Sequence, residues 1–405
     1  MYPKINRYPL ALLLISLSLT MPHALPTLTA GQPLAVRYTK MINADEGWGV
    51  VNAGTDSDYI MRTKDGGKTW FDVTPAKFTL TDATVDLNSH EFFPDGKHAW
   101  LTSTDEHGSW IWSTQDGGNT WAQAKLLEPQ GSPVLLSFAD EKHGWVLLSG
   151  CCAAGNDPAQ IYRTTDGGRS WILTADSLGF GGKIGGLSTP YHTGIAFANA
   201  YEGWMTFATI SGEGGIAHTT NAGRSWRNAK LPVPPTEKTL QGCDMTSPTI
   251  FSPTELLFVA NCHQGDYEDR NLIYLFATKN DGKMWTITPI AVADVVAMSM
   301  AFNPPLVYMI SPSVGWLVTG KVGDVTTADF ALYQTTDGGQ NWTKLARLPP
   351  ELNSNVLFCD NYTLCIFDFI DSQTGWSLTQ SGDLLQTSDG GKTWNALHPR
   401  LAAQA

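Results

Sequence analysis

Thr63-Lys64-Asp65-Gly66-Gly67-Lys68-Thr69-Trp70 decides how this chain folds, because the same eight-residue pattern returns six more times. Thr114 to Trp121, Thr164 to Trp171, Thr335 to Trp342 and Thr387 to Trp394 keep the Asp-Gly-Gly core. Thr219 to Trp226 carries Asn221 and Ala222 instead, and Thr278 to Trp285 carries Asn280 and Met284. Successive copies begin 50 to 59 residues apart. An Asp-Gly-Gly turn supplies the positive backbone angles of a tight hairpin, and its carboxylate bonds backbone amides within the turn. The Trp opening the next strand covers the turn with a large apolar face. Asp65, Asp116, Asp166, Asp337 and Asp389, with Asn221 and Asn280, are therefore read as turn staples rather than catalysts. Trp70, Trp121, Trp171, Trp226, Trp285, Trp342 and Trp394 are read the same way.

A second motif precedes each copy: an apolar strand, a short polar turn, then Gly-Trp. It occurs at Gly47-Trp48, Ala99-Trp100, Gly144-Trp145, Gly203-Trp204, Gly315-Trp316 and Gly375-Trp376, with Leu257-Phe258 in the fifth unit. Thirteen of the fifteen Trp thus occupy two equivalent repeat positions, so each unit reads as four short strands. Four-stranded sheets repeated radially make a β-propeller. The expected fold is all-β: a single seven-bladed β-propeller of four-stranded antiparallel blades with Asp-box turns between strands three and four. The 405 residues then form one repeat-built domain, 31–405, instead of two or three compact ones. Its blades run approximately over 34–76, 84–127, 133–176, 193–231, 243–290, 296–348 and 356–399.

Composition agrees: 42% hydrophobic and 16% charged residues with 39 Gly exclude a disordered polyelectrolyte and a coiled coil. A net charge of -12 argues against a nucleic-acid surface, which needs a basic patch. Residues 1–30 read as a signal peptide. Lys4 and Arg7 precede an apolar run from Leu10 to Leu19, which is too short to cross a bilayer, and cleavage falls after Ala24 or Ala30. The mature chain is expected to be secreted or periplasmic, monomeric and without a transmembrane segment.

Six cysteines in an exported chain read as disulfides. Cys243 and Cys262 are equidistant from the turn at Ser252-Pro253, so they face each other across strands one and two of blade five. Cys359 and Cys365 flank a hairpin-sized loop and form a second pair. Cys151-Cys152 is either a vicinal disulfide or two free thiols.

The octets closely resemble the Asp-box, or BNR, repeat of sialidases, xyloglucan-degrading glycosidases, sortilin receptors and the photosystem II assembly/stability factor. The resemblance covers roughly Val36 to Pro399, and the evenly repeated Gly-Trp strand looks most like the last of these. That likeness implies an exported scaffold that holds a membrane-protein partner. The chain departs from that factor in being acidic, where the factor carries a basic arginine patch. Sialidases on this fold need an arginine triad, and only Arg37, Arg270 and Arg347 are placed to contribute. Xyloglucan enzymes commonly use two facing propellers, and this chain has one. HExxH, GxSxG and EF-hand patterns are absent from the sequence.

In such a disc the turns from strand one to two and the Asp-box turns share one face, and here both sets are short. Length variation falls on the other face, where a rigid scaffold usually carries its binding residues. The ligand-binding candidates are Lys183, Tyr191 and His192 in the connection Asp176 to Thr193. The connection His263 to Asn271 adds His263, Asp266, Glu268, Asp269 and Arg270. The acidic run Asp266 to Asp269 offers calcium-type oxygen ligands, but no metal or cofactor is expected. The function expected is a non-enzymatic exported binding or assembly scaffold for a protein or glycan. The alternative is a divergent glycoside hydrolase, sialidase-like or xyloglucan-like.

Overall fold

The computed structural model describes residues 28–52, 58–76, 78, 91–105, 108–126, 132–149, 159–177, 191–208, 214–234, 243–263, 271–292, 306–321, 329–349, 352, 367–379 and 381–403. Seven antiparallel sheets follow one another along the chain, each pairing its strands in sequence order, and together they form a seven-bladed β-propeller. Blade 1 shows the plan: Ala35–Met41 innermost, then Gly47–Asn52, Asp58–Thr63 and Thr69–Asp72. In blade 5 the innermost strand is split into Cys243–Met245 and Thr249–Ser252, both paired with Glu255–His263. Blade 1 departs from four strands by gaining a fifth, Arg400–Leu401, parallel to Thr69–Asp72.

The Asp-box turn is held by its own side chains. Thr63 Oγ1 donates to Asp65 Oδ1 at 3.0 Å and accepts the Gly67 amide at 2.9 Å. Asp65 Oδ1 accepts the amides of Lys68 and Thr69, while Oδ2 accepts the Thr69 hydroxyl at 2.6 Å. Gly67 has φ 95, and a Cβ there would approach Leu384 of blade 7 to 2.5 Å, so both conformation and packing require glycine. Burial pushes the Asp389 carboxyl upward, but hydrogen bonds from the Thr393 hydroxyl and amide bring it down to about 2. Asn221 and Asn280 still accept the amides of Ser225 and Met284 at 2.9 and 2.8 Å. The turn therefore needs an acceptor and not a charge.

Among the described residues the core is a ring of seven clusters, each formed between two neighbouring blades. Trp145 of blade 3 lies on Phe197 of blade 4 with centroids 3.5 Å apart, and Trp316 of blade 6 lies on Phe369 of blade 7 at 3.7 Å. The indole N–H groups of these Gly-Trp residues reach further, into the next blade's Asp-box turn. Trp100 donates to Gly167 O at 2.9 Å, Trp145 to Ala222 O at 3.0 Å, Trp316 to Gly390 O at 2.9 Å and Trp376 to Gly66 O at 2.9 Å. By contrast, the Asp-box Trp mostly bonds its own turn, as Trp70 does to Gly67 O.

The ring closes between blades 7 and 1 without exchanging a blade strand. The Trp376 bond crosses this seam, and the Val36 amide donates to Gly382 O at 2.8 Å. The tail strand lies between blade 1 and residues 31–34: Arg400 N donates to Lys68 O and Ala402 N to Trp70 O on one side, and Leu401 N to Gln32 O on the other.

Trp145 is fully buried and spans two blades, whereas Trp121 is only half-buried. Trp145→Ala is expected to cost about 3–5 kcal/mol and Trp121→Ala clearly less, read from urea unfolding midpoints. Equal costs would overturn the assignment of the Gly-Trp ring as the inter-blade pin.

Candidate functional site

The innermost strands of blades 2 and 3, 3 and 4, 4 and 5, and 7 and 1 touch one another around the channel. Their first residues stand at the variable-loop end and their last residues at the Asp-box end, so the channel has two chemically different mouths.

At the variable-loop end, the innermost strand of blade 4 runs Tyr191–Phe197. Tyr191 and His192, expected in a solvated connection, are thus strand residues opposite Ala208 and Phe207. Period-two packing against the neighbouring strand buries His192 to 8% exposure, where a loop position would have left it solvated. Neither ring nitrogen of His192 has a hydrogen-bond partner, an arrangement native interiors seldom keep. Burial alone pushes its pKa down to about 4. The Tyr191 side chain lies outside the described residues.

Blade 5 adjoins this point closely. A Cβ on Gly194 would come within 2.2 Å of the Ser247 Cα, and one on Gly214 within 2.4 Å of the Cys243 carbonyl oxygen. Cys243 and Cys262 are directly opposite in register and joined by a fully buried disulfide, as their spacing predicts. His263 ends the second strand one residue beyond, opposite Asn271, with its side chain outside the described residues. The structure thus brings Tyr191, His192 and His263 to the same end of neighbouring blades. Lys183, Asp266, Glu268, Asp269 and Arg270 lie outside the described residues, as do Cys151, Cys152, Cys359 and Cys365.

Blade 1 contributes Arg37 to this end, but its guanidinium donates to Asp58 at 2.8 Å, and Asn52 also donates to Asp58. Arg347 closes the outermost strand of blade 6, Thr343–Arg347, away from the channel. Of the three arginines available for a carboxylate clamp, Arg37 is thus engaged by a carboxylate and Arg347 is placed elsewhere.

The Asp-box end holds a constellation that the sequence reading missed. Lys40 of blade 1, Tyr308 of blade 6 and Asp368 of blade 7 occupy one repeat position, each opposite the Trp of its own Gly-Trp pair. Lys40 Nζ donates to Asp368 Oδ1 at 2.7 Å, and the Met41 amide donates to Asp368 Oδ2. Tyr308 donates to the Phe369 carbonyl across the blade 6–7 seam. Burial would lower the Lys40 pKa, but the Asp368 charge and the Tyr308 oxygen hold the ammonium charged well above its ordinary range. Burial pushes the Tyr308 hydroxyl up, keeping it a neutral donor. The equivalent residue in blade 3, Ser137, likewise accepts the Phe197 amide of blade 4 at 3.1 Å. The sequence signal was available: these are the polar residues within apolar innermost strands, at a fixed distance before Gly-Trp.

Among the described residues, no three His, Cys, Asp or Glu converge to hold a metal ion, and no helix is long and apolar enough to cross a membrane.

Comparison with known proteins agrees with this architecture. Residues 58–179 match the model of the family described as sortilin, neurotensin receptor 3. Among solved structures, the chain is similar to YCF48 bound to D1 peptide, at 18% identity over 89% of this chain and 93% of that one, with a TM-score of 0.51. It is also similar to the GH74 xyloglucanase of Xanthomonas campestris, at 15% identity over 93% of this chain, with a TM-score of 0.55; the match spans 55% of that enzyme. An ancestral GH74 enzyme matches at 15% identity over 92% of this chain and 47% of its own length, with a TM-score of 0.50. At these identities the shared property is the fold. No curated protein sequence matches the chain.

The buried His192 carries a pH signature. Its folded pKa of about 4 lies below its ordinary 6.5, so between these values the unfolded chain binds a proton that the folded chain refuses. Its contribution is intact above pH 6.5 and falls by about 3 kcal/mol as pH drops towards 4. His192→Phe is expected to remove that share of acid destabilisation, measured as the difference in unfolding free energy between pH 7 and pH 4.5. An unchanged difference would show that His192 is protonated freely in the folded state.

Proposed function

We propose that this protein is a non-enzymatic exported scaffold whose variable-loop face holds a protein partner. The observation that carries the reading is the fate of its buried carboxylates. A retaining or inverting glycosidase needs two carboxyl groups kept for the sugar, one of them ready to give up a proton. The buried carboxylates among the described residues, Asp58 and Asp368, are instead committed to Arg37 and Lys40. The Asp-box carboxylates are engaged by their own turns. Charge here is spent on rigidity.

Support for a protein ligand comes from the fold. A propeller matching nearly end to end is one bound to a peptide, and Tyr191, His192 and His263 lie at the channel end where an incoming segment would arrive.

The test incubates the purified mature protein with a peptide array, a glycan array and a panel of chromogenic glycosides, and repeats each with His192→Phe. Peptide binding that weakens in the variant, with no chromophore released, is the expected result. Chromophore release that disappears on substituting an acidic residue of the mouth would overturn the reading and make the protein a glycoside hydrolase. Glycan binding alone would make it a lectin.

Export makes a separate prediction. Leu28 packs against the blade 1–7 cluster, and Gly31, Gln32 and Leu34 bond the tail segment. Of the two candidate cleavage sites, only the one after Ala24 preserves the Leu28 contact. Mass spectrometry of the exported protein should find Leu25 as the first residue; a chain beginning at Gly31 would count against this.

A further inference from the structure

We infer that the outer edge of blade 3 is a docking strand for an extended, aliphatic-rich segment of a partner protein. This rests on the reading that the protein holds a protein partner, and adds a second contact on the outer rim, near the Asp-box end and away from the variable-loop face. The outermost strand of blade 3 is Ile172–Asp176, paired on one side with Ala159–Thr164 and terminal in its sheet. Ile172 is 55% exposed and Leu173 41% exposed, two adjacent aliphatic side chains on a strand that, among the described residues, pairs with no further strand on its outer side. The two residues after each Asp-box Trp are Phe71-Asp72, Ala122-Gln123, Ile172-Leu173, Arg227-Asn228, Thr286-Ile287, Thr343-Lys344 and Asn395-Ala396. Only blade 3 places two large aliphatics there, where other blades use the polar residues that keep an edge from pairing.

The molecule already shows what such an edge accepts. On blade 1, the equivalent strand receives Arg400–Leu401 as a parallel fifth strand, with Arg400 beside Thr69 and Leu401 beside Trp70. The guest supplies the Arg400 and Ala402 amides to the carbonyls of Lys68 and Trp70, at 3.1 and 2.7 Å, and buries Leu401 to 7% exposure. Thr69 and Trp70 correspond to Ser170 and Trp171 in the repeat, so a guest strand seated in the same parallel register on blade 3 lies beside Ser170 and Trp171 and, continued by two residues, runs alongside Ile172 and Leu173. Main-chain bonds supply affinity and the aliphatic pair supplies preference, which is strand addition at a sheet edge.

The test uses the full mature chain and a short synthetic peptide of alternating valine and threonine. Hydrogen exchange is followed along the backbone, and affinity is compared with two double variants. One is Ile172→Lys with Leu173→Lys; the other is Ile172→Thr with Leu173→Thr, which keeps strand propensity and guards against misfolding. The expected result is new protection within residues 172–176 and affinity lowered about tenfold or more in both variants, with Tm unchanged. Equal binding by the variants, or protection only at the start of the innermost strand of blade 4, would overturn the edge assignment while leaving the scaffold reading intact. Absence of binding, or a dimer of the wild type that the Lys variant dissolves, would also overturn it. In the dimer case the edge is a seam between copies of this chain.

Discussion

The structure depends on one repeated contact: the indole of a Gly-Trp strand in one blade, bonded to an Asp-box carbonyl in the next. A single four-stranded sheet cannot bury its faces alone, so each blade is stable only against its neighbours. The Asp-box turn makes that partnership specific. Its positive-φ residues turn a backbone carbonyl outward at a fixed height, and the buried Trp145, Trp316 and Trp376 each donate their N–H to it. A neutral hydrogen bond contributes only about 1 kcal/mol net. Its larger effect is orientational, because an indole has one donor and an unpaired one inside this core would be costly.

The pin does not run uniformly round the ring, and its gaps mark where the chain uses other means. Trp48 bonds the Asp95 carbonyl in the preceding turn of blade 2. Trp204 of blade 4 lies on His218 at 3.8 Å with its N–H unpaired, and blade 5 has Phe258 in the Trp position. Across the blade 4–5 seam the strands approach to backbone contact through Gly194 and Gly214, and the buried disulfide locks the first strand of blade 5 to the second. At the ring's closure the molecule adds most: a Trp bond, the Lys40–Asp368 pair and a tail strand. Closing the ring joins residues more than three hundred positions apart, so the chain entropy to be overcome is largest there.

What was legible in the sequence follows from range. The Asp-box turns, the blade count and the Cys243–Cys262 pairing rest on residues close in sequence or symmetrically placed about one turn, and each could be read directly. The destination of the Gly-Trp indoles could not, since Trp145 and its acceptor at Ala222 are 77 positions apart. The repeat showed that these tryptophans mattered without showing which blade they served. His192 was misread because a Gly-rich stretch ran up to it, and strand pairing with Phe207 is a tertiary fact. The tail strand was invisible for a related reason: Arg400–Leu401 is too short to carry a period, and it is a strand only because blade 1 offers an edge. Of the candidate site residues, Tyr191, His192 and His263 are strand positions at the variable-loop end, while the cluster at the opposite end was not legible because it joins innermost strands of blades far apart in sequence.

The distribution of charge ties stability to function. Lys40, Asp368 and Tyr308 sit where a propeller enzyme could keep polar groups for a substrate in the channel, yet each is spent bridging one blade to the next. Removing Lys40 is costly because the buried Asp368 is left charged and uncompensated, so these groups are poorly placed to give up their bonds to a ligand during turnover. A ring fastened from within in this way has little freedom to close around a small substrate. It is suited to presenting fixed edges and fixed loop anchors, and the exposed Ile172 and Leu173 of blade 3 lie on such an edge. A rigid edge binds an extended segment without first having to be ordered, which is the physical argument behind the proposed scaffold role.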